Sequence, residues 1–330
     1  MWGVKMKSCA LALSMLLLFA IYCAAIPKCQ PEELFDHASK APADLSQLLQ
    51  KAQSGDAQAQ FRLGLAYDMG LGVACDHAQA ASWYKKAADR GNPGAQNNLG
   101  GLYTRGLGVA QNDSEAVRWY ARAAAEGHPA AQNNLGFMYA EGRGVSQSDE
   151  SAVFWYRKSA DQGYVGGVTN LAFMYSAGRG IPMDAKQAIK LYHKAAKTGF
   201  APAEFKLGQL YFHGTGVRQD LVEAIQWFHK AAEHGSAQAQ NQLGFAYSHA
   251  RGVTQDYAQA EHWYRLAAAN GLPEARHNLA IVLAWTRGNP DAGNVVEAET
   301  APARPSETPI AITTDDDLPL GRLSLLGRKR

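Results

Sequence analysis

Cysteine is scarce in this chain. There are four in 330 residues, at positions 9, 23, 29 and 75, and no two form a Cys-x-x-Cys pair. That spacing excludes the zinc-ribbon and thioredoxin-like chemistries that need such a pair. No His-Glu-x-x-His occurs, and no Ser–His–Asp or Cys–His set stands out. The signatures of a zinc hydrolase and of a covalent hydrolase are therefore both missing. Charge of one sign is missing too: 32 Lys and Arg are balanced by 30 Asp and Glu, for a net charge of +2. A chain so balanced gives no sign of a nucleic-acid partner. Past the first 25 residues no apolar run is long enough to span a membrane. The expectation is a non-enzyme that needs no cofactor and no metal.

Those first residues stand apart. Lys5 and Lys7 precede the apolar run Cys9 to Ala25, which holds Leu16-Leu17-Leu18-Phe19 and ends in Cys23-Ala24-Ala25. A basic start, a short apolar stretch and a small-residue end describe a secretory signal peptide, residues 1–25. The run is short for an uncleaved anchor, and bulky Tyr22 just before Cys23 argues against a lipoprotein. Cleavage after Ala25 would place the mature chain, from Ile26, in the periplasm or outside the cell. Cys29 and Cys75 then remain in an oxidising compartment. They form either one disulfide, fastening the N-terminal arm (26–43) to the array, or two unpaired thiols.

What the chain has in abundance is a period. Leu63-Gly64, Leu99-Gly100, Leu135-Gly136, Leu207-Gly208 and Leu243-Gly244 lie on a step of 36 residues, with Leu171-Ala172 and Leu279-Ala280 on the same ruler. A repeat of this length signals a solenoid of stacked supersecondary units. Each repeat reads as two helices. Gly55, Gly91, Gly127, Gly163, Gly199, Gly235 and Gly271 share a column where a helix ends. Helix A follows, with Tyr67, Tyr103, Tyr139, Tyr175, Tyr211 and Tyr247 in one column. It stops at Gly-x-Gly-Val, as in Gly106-Leu107-Gly108-Val109. Helix B opens on Asp76, Asn112, Ser148, Asp184, Asp220 or Asp256, each able to accept bonds from first-turn amides. Five of these six have Gln or Glu three residues on, the pattern of a capping box. Asn112-Asp113-Ser114 also fits a glycosylation sequon, but its Asn is already explained as a cap. Helix B carries Trp-Tyr pairs such as Trp119-Tyr120, then small residues such as Ala123-Ala124. The Tyr and Trp columns read as core.

The pattern Ala-x-x-x-Leu-Gly-x-x-Tyr, Gly-x-Gly-Val, Ala-x-x-Trp-Tyr-x-Lys-Ala-Ala, Gly resembles the Sel-1-like repeat, a relative of the tetratricopeptide repeat. Departures are local: Leu191 replaces a Trp, Ala172 and Ala280 replace a Gly, and Ala250 breaks one Gly-x-Gly. The resemblance implies an all-α, right-handed α-solenoid over residues 44–286, with six A–B pairs and terminal half-units, followed by a disordered tail from 287 to 330. It implies a monomeric scaffold or adaptor that binds a protein: a membrane sensor, a host protein, or a secreted toxin neutralised by an immunity protein. A β-lactam-binding or hydrolysing enzyme is a poorer match, because that subgroup has a disulfide in each repeat.

Helical geometry locates a candidate surface. With Leu63 pointing inward, Phe61 and Leu65 face the other way at 100° per residue. Their columns supply the expected partner-binding residues, Phe61, Leu65, Asn97, Asn133, Phe137, Phe173, Phe205, Asn241, Phe245 and Ile281. In related solenoids this face lines the concave groove. The alternative is that some of these rings fill the gap between successive A helices. The helix-end column Met69, Arg105, Glu141, Ala177, His213, His249, Trp285 varies most; such variation marks either the seat of specificity or a relaxed surface. His213 and His249, roughly 10 Å apart at the usual spacing of packed helices, are too distant to share a metal unaided.

Overall fold

The structure is a computed structural model that describes residues 43–286. The signal segment, the arm up to residue 42, Cys29 and the tail from 287 lie outside the described residues. Among the described residues there are fourteen helices and no strand. They are α1 (Ala43–Gln53), α2 (Ala57–Met69), α3 (His77–Asp89), α4 (Pro93–Arg105), α5 (Asp113–Ala125), α6 (Pro129–Glu141), α7 (Asp149–Asp161) and α8 (Val165–Ala177). Then come α9 (Ala185–Ala196), α10 (Ala201–His213), α11 (Leu221–Glu233), α12 (Ala237–Ser248), α13 (Tyr257–Ala269) and α14 (Pro273–Thr286). Even-numbered helices are the A helices and odd-numbered ones the B helices. This is the order the 36-residue ruler predicts. The chain forms two compact units, one ending at Gly167 and the other beginning at Val168. Within each unit, consecutive helices pack on one another, from α1 to α7 in the first and from α9 to α14 in the second.

The predicted caps form. In all six repeats the side chain of the cap column accepts a first-turn amide of helix B. The reciprocal half of the capping box does not form. The cap residue's own N–H donates instead to the carbonyl of the helix A tyrosine nine residues earlier, for example Asp76 to Tyr67 at 2.9 Å and Asp256 to Tyr247 at 3.0 Å. The tyrosine carbonyl lies in the last turn of helix A, where carbonyls lack intrahelical partners, so the loop closes on backbone alone. The glutamine before the cap adds a second tie. Gln111, Gln147, Gln219 and Gln255 donate from Nε2 to the carbonyls of Thr104, Ala140, Phe212 and Ser248. Cys75 occupies this column in the first repeat.

Helix A meets helix B through glycine. A Cβ on Gly64 would stand 2.4 Å from the Tyr84 ring, and one on Gly208 2.5 Å from the Phe228 ring. The Leu-Gly column and the Trp-Tyr column are thus two halves of one contact. The rings at Tyr84, Tyr120, Tyr156, Tyr192 and Phe228 are among the most completely buried side chains. Removing each from water contributes roughly 2–3 kcal/mol.

Successive repeats meet through the second glycine of Gly-x-Gly. At Gly108, with φ +67°, a Cβ would lie 2.1 Å from the His77 carbonyl oxygen, at the start of the preceding helix B.

The reading of every Tyr and Trp column as core needs correction. Only Trp83 and Trp119 are buried; Trp155, Trp227 and Trp263 are half-buried, as are all six helix A tyrosines. The tryptophans sit at the rim of helix B, where a basic residue three positions on covers the ring face. Lys86 lies 3.7 Å from the Trp83 ring centre, Lys230 4.0 Å from Trp227 and Arg122 4.7 Å from Trp119.

Candidate functional site

The ten residues expected to bind a partner divide into buried and accessible sets. In the first unit, Asn97 and Asn133 are 0% exposed and Phe137 is 9% exposed. The asparagines belong to a buried hydrogen-bond chain. Tyr84 Oη donates to Asp68 at 3.1 Å, Asn98 Nδ2 donates to Tyr84 Oη at 3.3 Å, and Asn97 Nδ2 donates to Asn98 Oδ1 at 3.2 Å. Asn134 Nδ2 then donates to Asn97 Oδ1 at 3.1 Å, tying α6 to α4. The column therefore holds neighbouring A helices together; side chains without access to solvent are not contact residues in this state. Phe61 and Leu65 are half-buried. Phe61 lies 6.0 Å from the Tyr84 ring and fills the space that a Cβ on Gly94 would need.

In the second unit Phe173 is 3% exposed and joins the buried set. Of the two geometric alternatives, filling the interior holds for Asn97, Asn133, Phe137 and Phe173. Phe205, Asn241, Phe245 and Ile281 remain half-buried. Phe205 packs on Phe228 at 5.8 Å, and Asn241 accepts from Asn278 at 2.9 Å, which joins α12 to α14.

The second unit also brings together residues outside those two columns. His249 stacks on Phe245 at 4.4 Å between ring centres and meets Trp285 edge-on at 5.8 Å. Tyr257, at the start of α13, lies 5.7 Å from Trp285. Across the repeat boundary, the Arg251 guanidinium stands 5.9 Å from the Phe212 ring, which is itself 5.2 Å from His213. His213, His249 and Arg251 are exposed, and the rings between them are half-buried. His213, His249 and Trp285 come from the variable helix-end column and Phe245 from the expected partner-binding columns, the two signals in the sequence that pointed here. Arg251 and Tyr257 are on the adjoining loop and helix start and carried no such signal.

Two neighbouring positions vary in register. Gln132 Oε1 accepts from Gln162 at 2.8 Å, and Gln240 Oε1 accepts from Asn270 at 2.9 Å. In the corresponding place, buried Glu204 pairs with His234 Nδ1 at 2.7 Å. These pairs join helix A to the end of helix B in the same repeat and belong to the frame. The disulfide alternative involves Cys29, which lies outside the described residues. Cys75 lies half-buried in the loop before α3.

Among the described residues, no group of three or more His, Cys, Asp or Glu side chains is arranged to hold a metal, and no helix is long and apolar enough to cross a membrane.

The Sel1 repeat family model matches six consecutive segments, 57–92, 93–128, 129–164, 167–200, 201–236 and 237–272. Among solved structures, the chain is similar to a Sel1 repeat protein from Oxalobacter formigenes, at 31% identity and a TM-score of 0.65, over 71% of this chain and 94% of that one. It is also similar to a protective antigen of uropathogenic Escherichia coli strains that displays an SLR fold, at 32% identity and a TM-score of 0.57. That match covers 78% of this chain, which spans 64% of the antigen's length. No curated protein matches the chain.

Proposed function

The chain belongs to the Sel1 repeat family, a protein-interaction fold, and from that premise we propose that it is an exported, monomeric, non-enzymatic scaffold of the cell envelope that grips one protein partner. Contact is made through the accessible part of the helix A face: Phe61 and Leu65 in the first unit, and Phe205, Asn241, Phe245 and Ile281 in the second. The carrying observation is the clustering of half-buried Phe245 and Trp285 with exposed His249 at one accessible helix end. Aromatic side chains held rigidly at a surface are the usual anchors of protein recognition. Export is supported by the signal-like pattern of residues 1–25. The periplasm is the proposed compartment, and Ile26 the first residue of the mature chain.

The test is capture from an envelope extract by the immobilised full chain, compared with a Phe245→Ser/Ile281→Ser variant. The expected outcome is a protein retained by the wild type and lost by about tenfold in the variant, the effect of one good contact, with far-UV circular dichroism unchanged. Equal retention by both would refute the assignment of the face. The identity of the captured protein then separates the roles: a toxin assigns immunity, and a sensor assigns regulation. Turnover of a chromogenic β-lactam by the pure chain would overturn the binding-only reading.

A further inference from the structure

Resting on that reading, we infer that the second unit's helix-end strip recognises an acidic segment of the partner, one that presents carboxylates beside leucine or aromatic side chains. The strip holds two groups, Phe212 with His213 and Arg251, and Phe245 with His249 and Trp285, linked along the chain by the two-residue step from His249 to Arg251. No residue of the strip itself is acidic. His213, Arg218, His249 and Arg251 are exposed; the carboxylates of Asp220 and Asp256 beside them are exposed too, but each is turned to the amides of a helix start. Asp220 accepts the Glu223 amide at 2.9 Å, and Asp256 accepts the amides of Ala258 and Gln259 at 2.9 and 3.0 Å. Glu223 accepts the Trp227 indole N–H at 2.9 Å, Glu261 pairs with Arg265 at 2.6 Å, and Glu204 is bound to His234. Glu274 lies in the first turn of α14, at the opposite end of that helix from Trp285.

Guanidinium and imidazole groups set among aromatic rings suit an acidic, apolar-anchored peptide by charge and by shape.

Random twelve-residue peptides displayed on phage, selected against the immobilised full chain, test the inference. The expected consensus carries at least two Asp or Glu beside a Leu or aromatic residue. Affinity of the synthetic consensus peptide, read by fluorescence anisotropy, should fall by about tenfold in Arg251→Glu and again in Trp285→Ala. It should weaken steeply when NaCl is raised from about 50 to about 500 mM, and should not change in Arg265→Glu. Enrichment of peptides without acidic residues, binding indifferent to Arg251→Glu and Trp285→Ala, or no enrichment at all would each overturn it. Binding that appears only after Asp315, Asp316 and Asp317 are changed to Asn in the full chain would also overturn it, assigning the strip to the chain's own acidic run. If any of these occurs while envelope capture still depends on Phe245 and Ile281, the partner chemistry is wrong and the proposed function stands.

Discussion

Gly64→Ala adds one methyl group at the tightest of the A–B contacts. The new Cβ would lie 2.4 Å from Tyr84 Cδ1 and 2.6 Å from Cε1, about 1 Å inside normal carbon–carbon contact. Tyr84 cannot swing aside: its ring is fully enclosed, and its hydroxyl is held by Asp68 and Asn98. Overpacking a core by one methyl group costs about 1–3 kcal/mol. Replacing Gly by Ala in a helix interior returns about 1 kcal/mol. An overlap this deep calls for the upper end of that cost, so the net expectation is destabilisation by about 2 kcal/mol, with a smaller loss for Gly100→Ala, whose Cβ would stand 2.8 Å from the Tyr120 ring. The assay is amide hydrogen exchange of α2 and α3 together with urea unfolding followed by circular dichroism, because repeat arrays need not unfold in one step. Combining Gly64→Ala with Tyr84→Leu should recover about 1 kcal/mol relative to additivity. A Gly64→Ala chain as stable as the wild type, or a strictly additive double variant, refutes the ring-on-glycine account of the Leu-Gly column.

Two other glycines separate strain from space. A methyl group on Gly91 (φ +80°) would have nothing within 4 Å, whereas one on Gly108 (φ +67°) would be driven into the His77 carbonyl. Gly91→Ala should therefore cost only the left-handed strain of about 1 kcal/mol, and Gly108→Ala well over twice that; equal midpoints for the two would remove the inter-repeat contact from the argument. Ala250 is the one non-glycine residue at positive φ among the described residues, at 53°. Ala250→Gly should raise the urea midpoint by the equivalent of about 1 kcal/mol, and a drop would show that the loop does not carry that strain. Burial pushes the Tyr120 and Tyr264 hydroxyls up to about 12. The unfolded chain releases these protons near pH 10 while the folded chain keeps them, so stability is intact below about pH 10 and is lost as pH rises towards about 12. The loss is at most about 3 kcal/mol per ring. Tyr120→Phe should flatten the alkaline fall in the urea midpoint, and an unchanged slope would refute the assignment.

Much of the fold was legible because each element carries its own punctuation. Cap residues, helix-ending glycines and the Leu-Gly ruler are local signals, and all fourteen helices stand where these signals place them. What could not be read was which face of helix A meets which neighbour. A 100° step places Phe61, Asn97 and Phe137 opposite Leu63, but an A helix inside a stack is flanked on that side as well. Asn97 and Asn133 have the sequence pattern of surface polar residues and are instead fully buried, because they bond to asparagines on the same and adjacent A helices. The missing capping-box half has a similar origin. Its competitor, the tyrosine carbonyl nine residues back, comes close only once the loop is folded.

The repeat array also permits an argument about function that no single repeat would. Departures from the 36-residue frame are of two kinds. Some are compensated: where Gln gives way to Glu204, the partner position becomes His234, and the inter-helix bond survives at 2.7 Å. Such variation keeps the frame and explains itself. In the helix-end column His249 Nδ1 meets the Phe245 carbonyl at 3.1 Å, in the place where Arg105 Nε donates to the Gly101 carbonyl at 3.2 Å. His249 also stacks on a ring of its own helix, and Trp285 meets His249 and Tyr257 edge-on or tilted. With His213 and Arg251 they gather rings and positive charge at an accessible edge. Phe245, Tyr257 and Trp285 pack by one side against the buried cluster of Ala260, Tyr264 and Val282 and keep an accessible side. The proposed partner contact rests on that accessible side, and this is why the strip, more than the repeated motif, is the place to test for this chain's specificity.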